Sequence, residues 1–196
     1  MGAEGKRSLR KAMLRARGGM GQDEIIEKSR AIRKAIVRTT MFKQSGSLSC
    51  YMALREEVQT IPIIELALRK GKRVAVPKVQ ATSRELALYW ITSTSTGFAP
   101  GPYGILEPIG ETGQEASVAD IDLFLVPGLA FDEEGWRVGF GRGYYDRLLG
   151  RDSNQAVSVG LAFQFQIVPH CPHGLLDVPV DYVVTEERVI RSAQVR

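Results

Sequence analysis

The stretch "DLFLVPGLAF" (122–131) constrains the fold of this chain more than any other, because it is short, almost wholly apolar and without polar alternation. A strand with apolar side chains on both sides must be covered on both faces, which places it in the middle of a parallel sheet with helices above and below. Further strands are expected at "SLSCYMAL" (47–54), "RVAVPKV" (73–79), "LALYWIT" (86–92), "AVSVGLAF" (156–163) and "DYVVT" (181–185).

Helical patterns fall between them. Residues 4–17 read as a helix stopped by Gly18 and Gly19, and 22–41 as a second with Ile25, Ile26, Ile32, Ile36 and Val37 near helical spacing. Thr60 is expected to cap a third that runs to Lys70, with Pro62 in its first turn and Gly71 at its end. Strands alternating with helices predict a single α/β domain over residues 1–196, in three layers around a mainly parallel sheet. Residues 93–119 carry five glycines and read as one long loop, and the sequence leaves open whether it closes over a ligand as a lid or stays mobile.

Charge is unevenly spread. Residues 1–43 hold twelve Lys/Arg against Glu4, Asp23, Glu24 and Glu27, whereas the whole chain has a net charge of +4. On a helix of 100° per residue, Lys6, Arg10, Met13 and Arg17 share one stripe. Such a basic end calls for an anion: a phosphorylated small molecule, nucleic acid or a membrane surface. A nucleic-acid-binding module is thus an alternative, although no RNA-binding motif and no basic stripe with interleaved aromatics is present. Cys50 and Cys171 form no CxxC, no signal peptide precedes them, and no run is long enough to span a membrane, so a cytoplasmic protein is expected. "HCPH" (170–173) lacks a distant partner pair that would complete a zinc site.

The chemistry concentrates in "VGFGRGYYDRLLG" (138–150). Gly139, Gly141 and Gly143 let successive backbone N–H groups converge, which suits phosphate, and a helix beginning at Tyr144 would add its own N–H groups. Arg142 adds a donor fork, Asp146 a carboxylate suited to Mg²⁺, and Tyr144 and Tyr145 flat surfaces for a heterocycle. The spacing is neither a Walker A nor a Rossmann fingerprint, and the preceding strand is expected to end near residue 131, well before the loop.

The longer stretch "VPGLAFDEEGWRVGFGRGYYDRLL" (126–149) closely resembles the signature of 5-formyltetrahydrofolate cyclo-ligases, also called methenyltetrahydrofolate synthetases. The opening "KRSLRKAMLRAR", "EEVQT", "YGILEP", "VGLAFQFQIV" and "PVDYVVTEERVI" extend the resemblance along nearly the whole chain. It implies a Rossmann-like, NagB/RpiA/CoA-transferase-like fold and an enzyme that uses ATP and Mg²⁺ to close 5-formyltetrahydrofolate to 5,10-methenyltetrahydrofolate. By resemblance, Lys6, Arg10, Arg137, Gly139, Phe140, Gly141, Arg142, Gly143, Tyr144 and Tyr145 hold ATP, and Arg142 and Tyr144 are the catalytic candidates. Met52, Glu57, Tyr103 and Tyr144 receive the folate, and Asp146 and Asp177 receive the metal. The expected partners are these small molecules, with no nucleic acid or membrane, and the chain is expected to act as a monomer. One departure stands out: "PHGLLD" (172–177) has Leu176 where the family commonly carries histidine, so the role of that histidine is either absent here or taken by His173 or His170. A member that binds nucleotide or folate without turnover is the corresponding alternative.

Overall fold

The computed structural model describes residues 2–80, 83, 85–101, 104–109, 114–150 and 156–193. Its elements, in chain order, begin with α1 (Gly2–Gly18), α2 (Gln22–Arg38), α3 (Thr40–Gln44), β1 (Ser47–Cys50), α4 (Ile61–Arg69), β2 (Arg73–Val79) and β3 (Leu86–Ile91). They continue with β4 (Phe98–Pro100), β5 (Leu106–Pro108), β6 (Glu115–Ala116), β7 (Leu123–Val126), β8 (Ala130–Phe131) and β9 (Arg137–Val138). The last are α5 (Tyr144–Leu149), β10 (Val157–Leu161), β11 (Tyr182–Val184) and β12 (Val189–Arg191).

Among the described residues an eight-stranded sheet runs in the order β12-β11-β10-β7-β1-β2-β3-β6. Its middle is parallel, from β11 through β10, β7 and β1 to β2, and its edges are antiparallel. Of the apolar run at 122–131, Leu123–Val126 (β7) lies in the middle of the sheet as expected, whereas Ala130–Phe131 (β8) leaves it and pairs with β9 in a separate two-stranded sheet. Leu123 and Leu125 enter a core with Ile32, Ile36, Phe42 and Ile63 from α2, α3 and α4. Phe124 and Val126 point the other way, to Phe131 and to Leu148 and Leu149 of α5. Every side chain of β7 is fully buried or nearly so, as a strand covered on both faces must be.

Three expectations are corrected. The helix over 22–41 is two helices, because Thr39 turns extended (ψ 153°); its hydroxyl donates to Ile36 O at 2.7 Å and accepts from Phe42 N–H at 3.2 Å, so one side chain ends α2 and caps α3. Thr60 does not cap α4: its hydroxyl donates to Tyr51 O at 2.7 Å, tying the helix start to the segment after β1. The stretch 93–119 is not a plain loop. It contains the β4–β5 hairpin and β6, which pairs with β3 and extends the sheet edge.

Parallel strands all present their carboxyl ends on one side, and the chain leaves β1 and β7 there as Tyr51-Met52 and Pro127-Gly128. From β1 the chain proceeds to β2 on one side, while β7 leads to β10 and β11 on the other. That reversal opens a crevice at the carboxyl ends, the habitual ligand position of open α/β sheets.

Candidate active site

The crevice is a cavity of about 730 Å³, within the usual range for a small-molecule site. Tyr51, Met52, Pro127 and Gly128 form its floor, Pro77, Val79, Leu86 and Ile105 an apolar end, and residues 137–146 with α1 a cationic end.

The cationic end is built around a glycine-bearing turn. Contrary to expectation, a strand does feed it: β9 pairs antiparallel with β8, and Val138 leads directly into Gly139. Gly141 and Gly143 have φ of +92° and +66°, a region that side chains disfavour. Gly141 is required twice over, since an added Cβ would lie 3.2 Å from the Arg10 guanidinium. Gly143 immediately precedes α5, whose first turn carries Tyr144, Tyr145 and Asp146 into the cavity wall.

The stripe on α1 is what closes this end. Lys6 is paired with Asp177, Arg10 Nε donates to Gly139 O at 2.8 Å, and Met13 packs beside Val138 and Ala130. One turn further, Arg17 is 3.4 Å from Glu57 Oε1, with both side chains buried. Arg17 also faces the Phe140 ring at 5.8 Å, and its Nε has no hydrogen-bond partner among the described residues. A single helix face thus joins the segments around 57, 140 and 177. Burial pushes the Glu57 carboxyl up, while Arg17 and the Leu54 N–H, 2.9 Å from Oε2, pull it down.

Buried Arg137 and half-buried Asp146 form a second ion pair, at 2.9 Å. Arg137 also donates to Val178 O at 2.6 Å, and Val178 N–H donates to Asp146 Oδ1 at 3.2 Å. Burial lowers the Arg137 guanidinium from its ordinary value, and Asp146 opposes that shift. Burial works against ionised Asp177, but the hydrogen bonds from Lys6 and Gly174 N–H, with the Lys6 and Arg137 charges, hold its carboxyl below the usual range. Arg142 differs from all of these. It is exposed at the cavity wall and has no ion-pair or hydrogen-bond partner for its guanidinium among the described residues.

Each metal candidate keeps one oxygen for a further ligand: the partners of Asp146 are on Oδ1 and those of Asp177 on Oδ2. Two carboxylate oxygens beside a phosphate-sized turn suit a hard divalent cation.

The cavity brings together Lys6, Arg10, Met52, Glu57, Arg137, Gly139, Phe140, Gly141, Arg142, Gly143, Tyr144, Tyr145, Asp146 and Asp177. Tyr103 lies outside the described residues. Neither histidine substitutes at the cavity for the one replaced by Leu176: His173 stacks on Trp136 (3.8 Å between ring centroids), His170 packs edge-on against His173, and Leu176 is exposed. The sequence reading missed Arg17 as a partner of Glu57, although its place on the stripe was the available signal. Glu107 lies inside the "YGILEP" stretch that carries the resemblance but was given no role of its own, because no spacing rule marks a single glutamate as a ligand.

The family model described as "5-formyltetrahydrofolate cyclo-ligase family" matches residues 2–186. A protein of Schizosaccharomyces pombe named "Probable 5-formyltetrahydrofolate cyclo-ligase" is 31% identical over 201 residues, covering 95% of this chain and 98% of its own. The mouse "5-formyltetrahydrofolate cyclo-ligase" is 30% identical, covering 93% and 94%. The solved structure of Aquifex aeolicus 5,10-methenyltetrahydrofolate synthetase superposes with a TM-score of 0.83 at 36% identity, covering 97% and 94%. With a family match along nearly its full length and an architecture shared with a solved synthetase, this chain belongs to the 5-formyltetrahydrofolate cyclo-ligase family, a family of ligases.

Proposed function

We propose that the protein converts 5-formyltetrahydrofolate and ATP into 5,10-methenyltetrahydrofolate, ADP and phosphate, with residues 1–196 acting as one catalytic domain. The observation that carries this reading is Arg142, a cation without a partner among the described residues, in the glycine turn of a cavity that also has apolar walls at Pro77, Val79, Leu86 and Ile105. An anionic tail fits the turn and a ring system the apolar walls.

The reaction needs no protein nucleophile. The formyl oxygen attacks the γ-phosphorus and ADP leaves, while the N5 lone pair moves toward the formyl carbon. N10 then attacks that carbon, its proton is lost, and the carbon–oxygen bond breaks to release phosphate. Catalysis is therefore positioning and charge neutralisation. Arg142, with Lys6 and Arg10 behind it, neutralises the phosphates; Gly139, Gly141 and Gly143 let the backbone approach them, and Phe140 and Tyr145 flank the nucleotide. Arg137 acts from beneath by fixing Asp146. Asp146 and Asp177 would hold Mg²⁺, which supplies charge neutralisation at the phosphate oxygens. Met52, Glu57 and Tyr144 receive the folate, together with Tyr103, and Tyr144 lies where the two substrates meet.

We propose a monomer acting on small molecules. Two buried free thiols suit the cytoplasm, and among the described residues no helix is long and apolar enough to cross a membrane. The test is direct: purified protein with 5-formyltetrahydrofolate and Mg·ATP is expected to produce the near-ultraviolet absorbance of the methenyl product, strictly dependent on ATP. Nucleotide binding without that absorbance would defeat the reading in favour of a non-catalytic member.

A further inference from the structure

Four carboxylates line the cavity, and three have a cation: Glu57 has Arg17, Asp146 has Arg137, and Asp177 has Lys6. The fourth, Glu107 in β5, is 7% exposed and forms no ion pair among the described residues. Its hydrogen bond there comes from Val79 N–H to Oε1, at 3.2 Å. The side chain is also held in place. Gly101, across the β4–β5 hairpin, packs so closely that an added Cβ would lie 2.4 Å from the Glu107 carboxyl carbon. Leaving a buried carboxylate so poorly satisfied is costly unless a ligand brings donors to it.

Resting on the reaction proposed above, we infer that Glu107 recognises the pteridine ring of the folate by accepting hydrogen bonds from its N3–H and 2-amino group. The chemistry of the two substrates selects this edge. Triphosphate would repel a carboxylate. Adenine presents its N6 donor beside the N1 lone pair, which a second carboxylate oxygen would oppose. Of the two heterocycles, the pteridine alone offers two adjacent donors, matched to a carboxylate as a guanidinium is; the ribose diol of ATP is the other such pair, and a shift in ATP KM would reveal it. Pro77, Val79, Leu86 and Ile105 supply apolar walls around the same end.

Glu107→Gln tests the assignment, since the amide keeps the shape and an acceptor for Val79 N–H. The expected result is a rise of roughly 10- to 100-fold in KM for 5-formyltetrahydrofolate, the range for loss of a charge-assisted pair. KM for ATP should stay within about 2-fold, and Tm within about 2 °C. A 2-desamino analogue of the substrate should lose a similar factor on the wild type, with little further loss on the variant, because both changes remove one interaction. Should that variant fail to fold, Glu107→Asp, which keeps the charge but withdraws it by one methylene, is expected to raise the folate KM with the ATP KM unchanged, and an unchanged folate KM there would overturn the assignment equally. An unchanged folate KM, a shift in ATP KM instead, or analogue and variant penalties that multiply would overturn the assignment. Absence of wild-type turnover would instead defeat the reaction on which it rests.

Discussion

The two ends of the cavity are built on opposite plans. At the glycine end, the protein saturates its own charges: Lys6, Arg17 and Arg137 are each paired with a carboxylate, and Arg10 is bound to a backbone carbonyl. Arg142 is the exception there. At the hairpin end the walls are apolar, and the exception is an anion, Glu107. Each end thus holds its shape through internal contacts and presents one unsaturated charge, positive at one end and negative at the other. Paired groups set geometry, whereas unpaired ones mark where a ligand must complete the structure.

The sharpest way to break this comparison is Arg142→Ala. If the unpaired cation serves the ligand, kcat/KM for ATP should fall by about 10²- to 10³-fold, as when one preorganised donor to a developing charge is removed. Thermal stability should hardly move, because the side chain is exposed. A comparable loss of both would make Arg142 a structural residue.

A paired cation should behave in reverse. Arg17→Met leaves Glu57 buried without its partner and is expected to cost about 3 kcal/mol, the lower range for a broken buried pair. Scanning calorimetry should then show Tm lowered by roughly 6–12 °C. Adding Glu57→Gln should restore much of that stability; no recovery would show that the two side chains are not coupled. Smaller again is Gly141→Ala, where a left-handed φ and the neighbouring Arg10 guanidinium resist a side chain. A loss of about 1–2 kcal/mol is expected from the backbone conformation, whereas Gly139→Ala, with open space around it, should leave Tm unchanged.

The smallest effect is a pH dependence. The folded-state pKa of Asp177 is lowered, so its contribution is present above the unfolded value of about 3.8 and disappears as pH falls through the folded one. Asp177→Asn should therefore flatten the stability curve below about pH 4, by under about 1 kcal/mol. Unchanged acid unfolding would show that the Lys6 contact is not maintained in solution.

The same two ends differ in how much the sequence revealed. Residues 137–146 were legible because glycine, arginine and aspartate at fixed offsets have few competing uses, and the stripe from Lys6 to Arg17 follows from helical geometry. The buried strand at 123–126 was legible from composition. The β4–β5 hairpin was not: three-residue strands carry too little periodicity, and glycines that permit close packing look like glycines that permit disorder. Glu107 stands in the "YGILEP" stretch that carries the resemblance, yet its role was not legible, since it depends on Gly101 and on Val79, a strand away. The strand feeding the glycine turn escaped notice because β9 is two residues long.

The α1 stripe has a consequence for the order in which activity can arise. Its basic residues meet groups 40 to 171 positions later in the chain, so the helix emerges from the ribosome long before its partners exist. The Lys6 and Arg10 contacts span 171 and 129 positions, more than the 75 between the paired Leu48 and Leu123 of the sheet, and such distant contacts are slow to form. The sheet can be assembled while the protein is still inert, and docking of this first helix would be the event that switches the enzyme on.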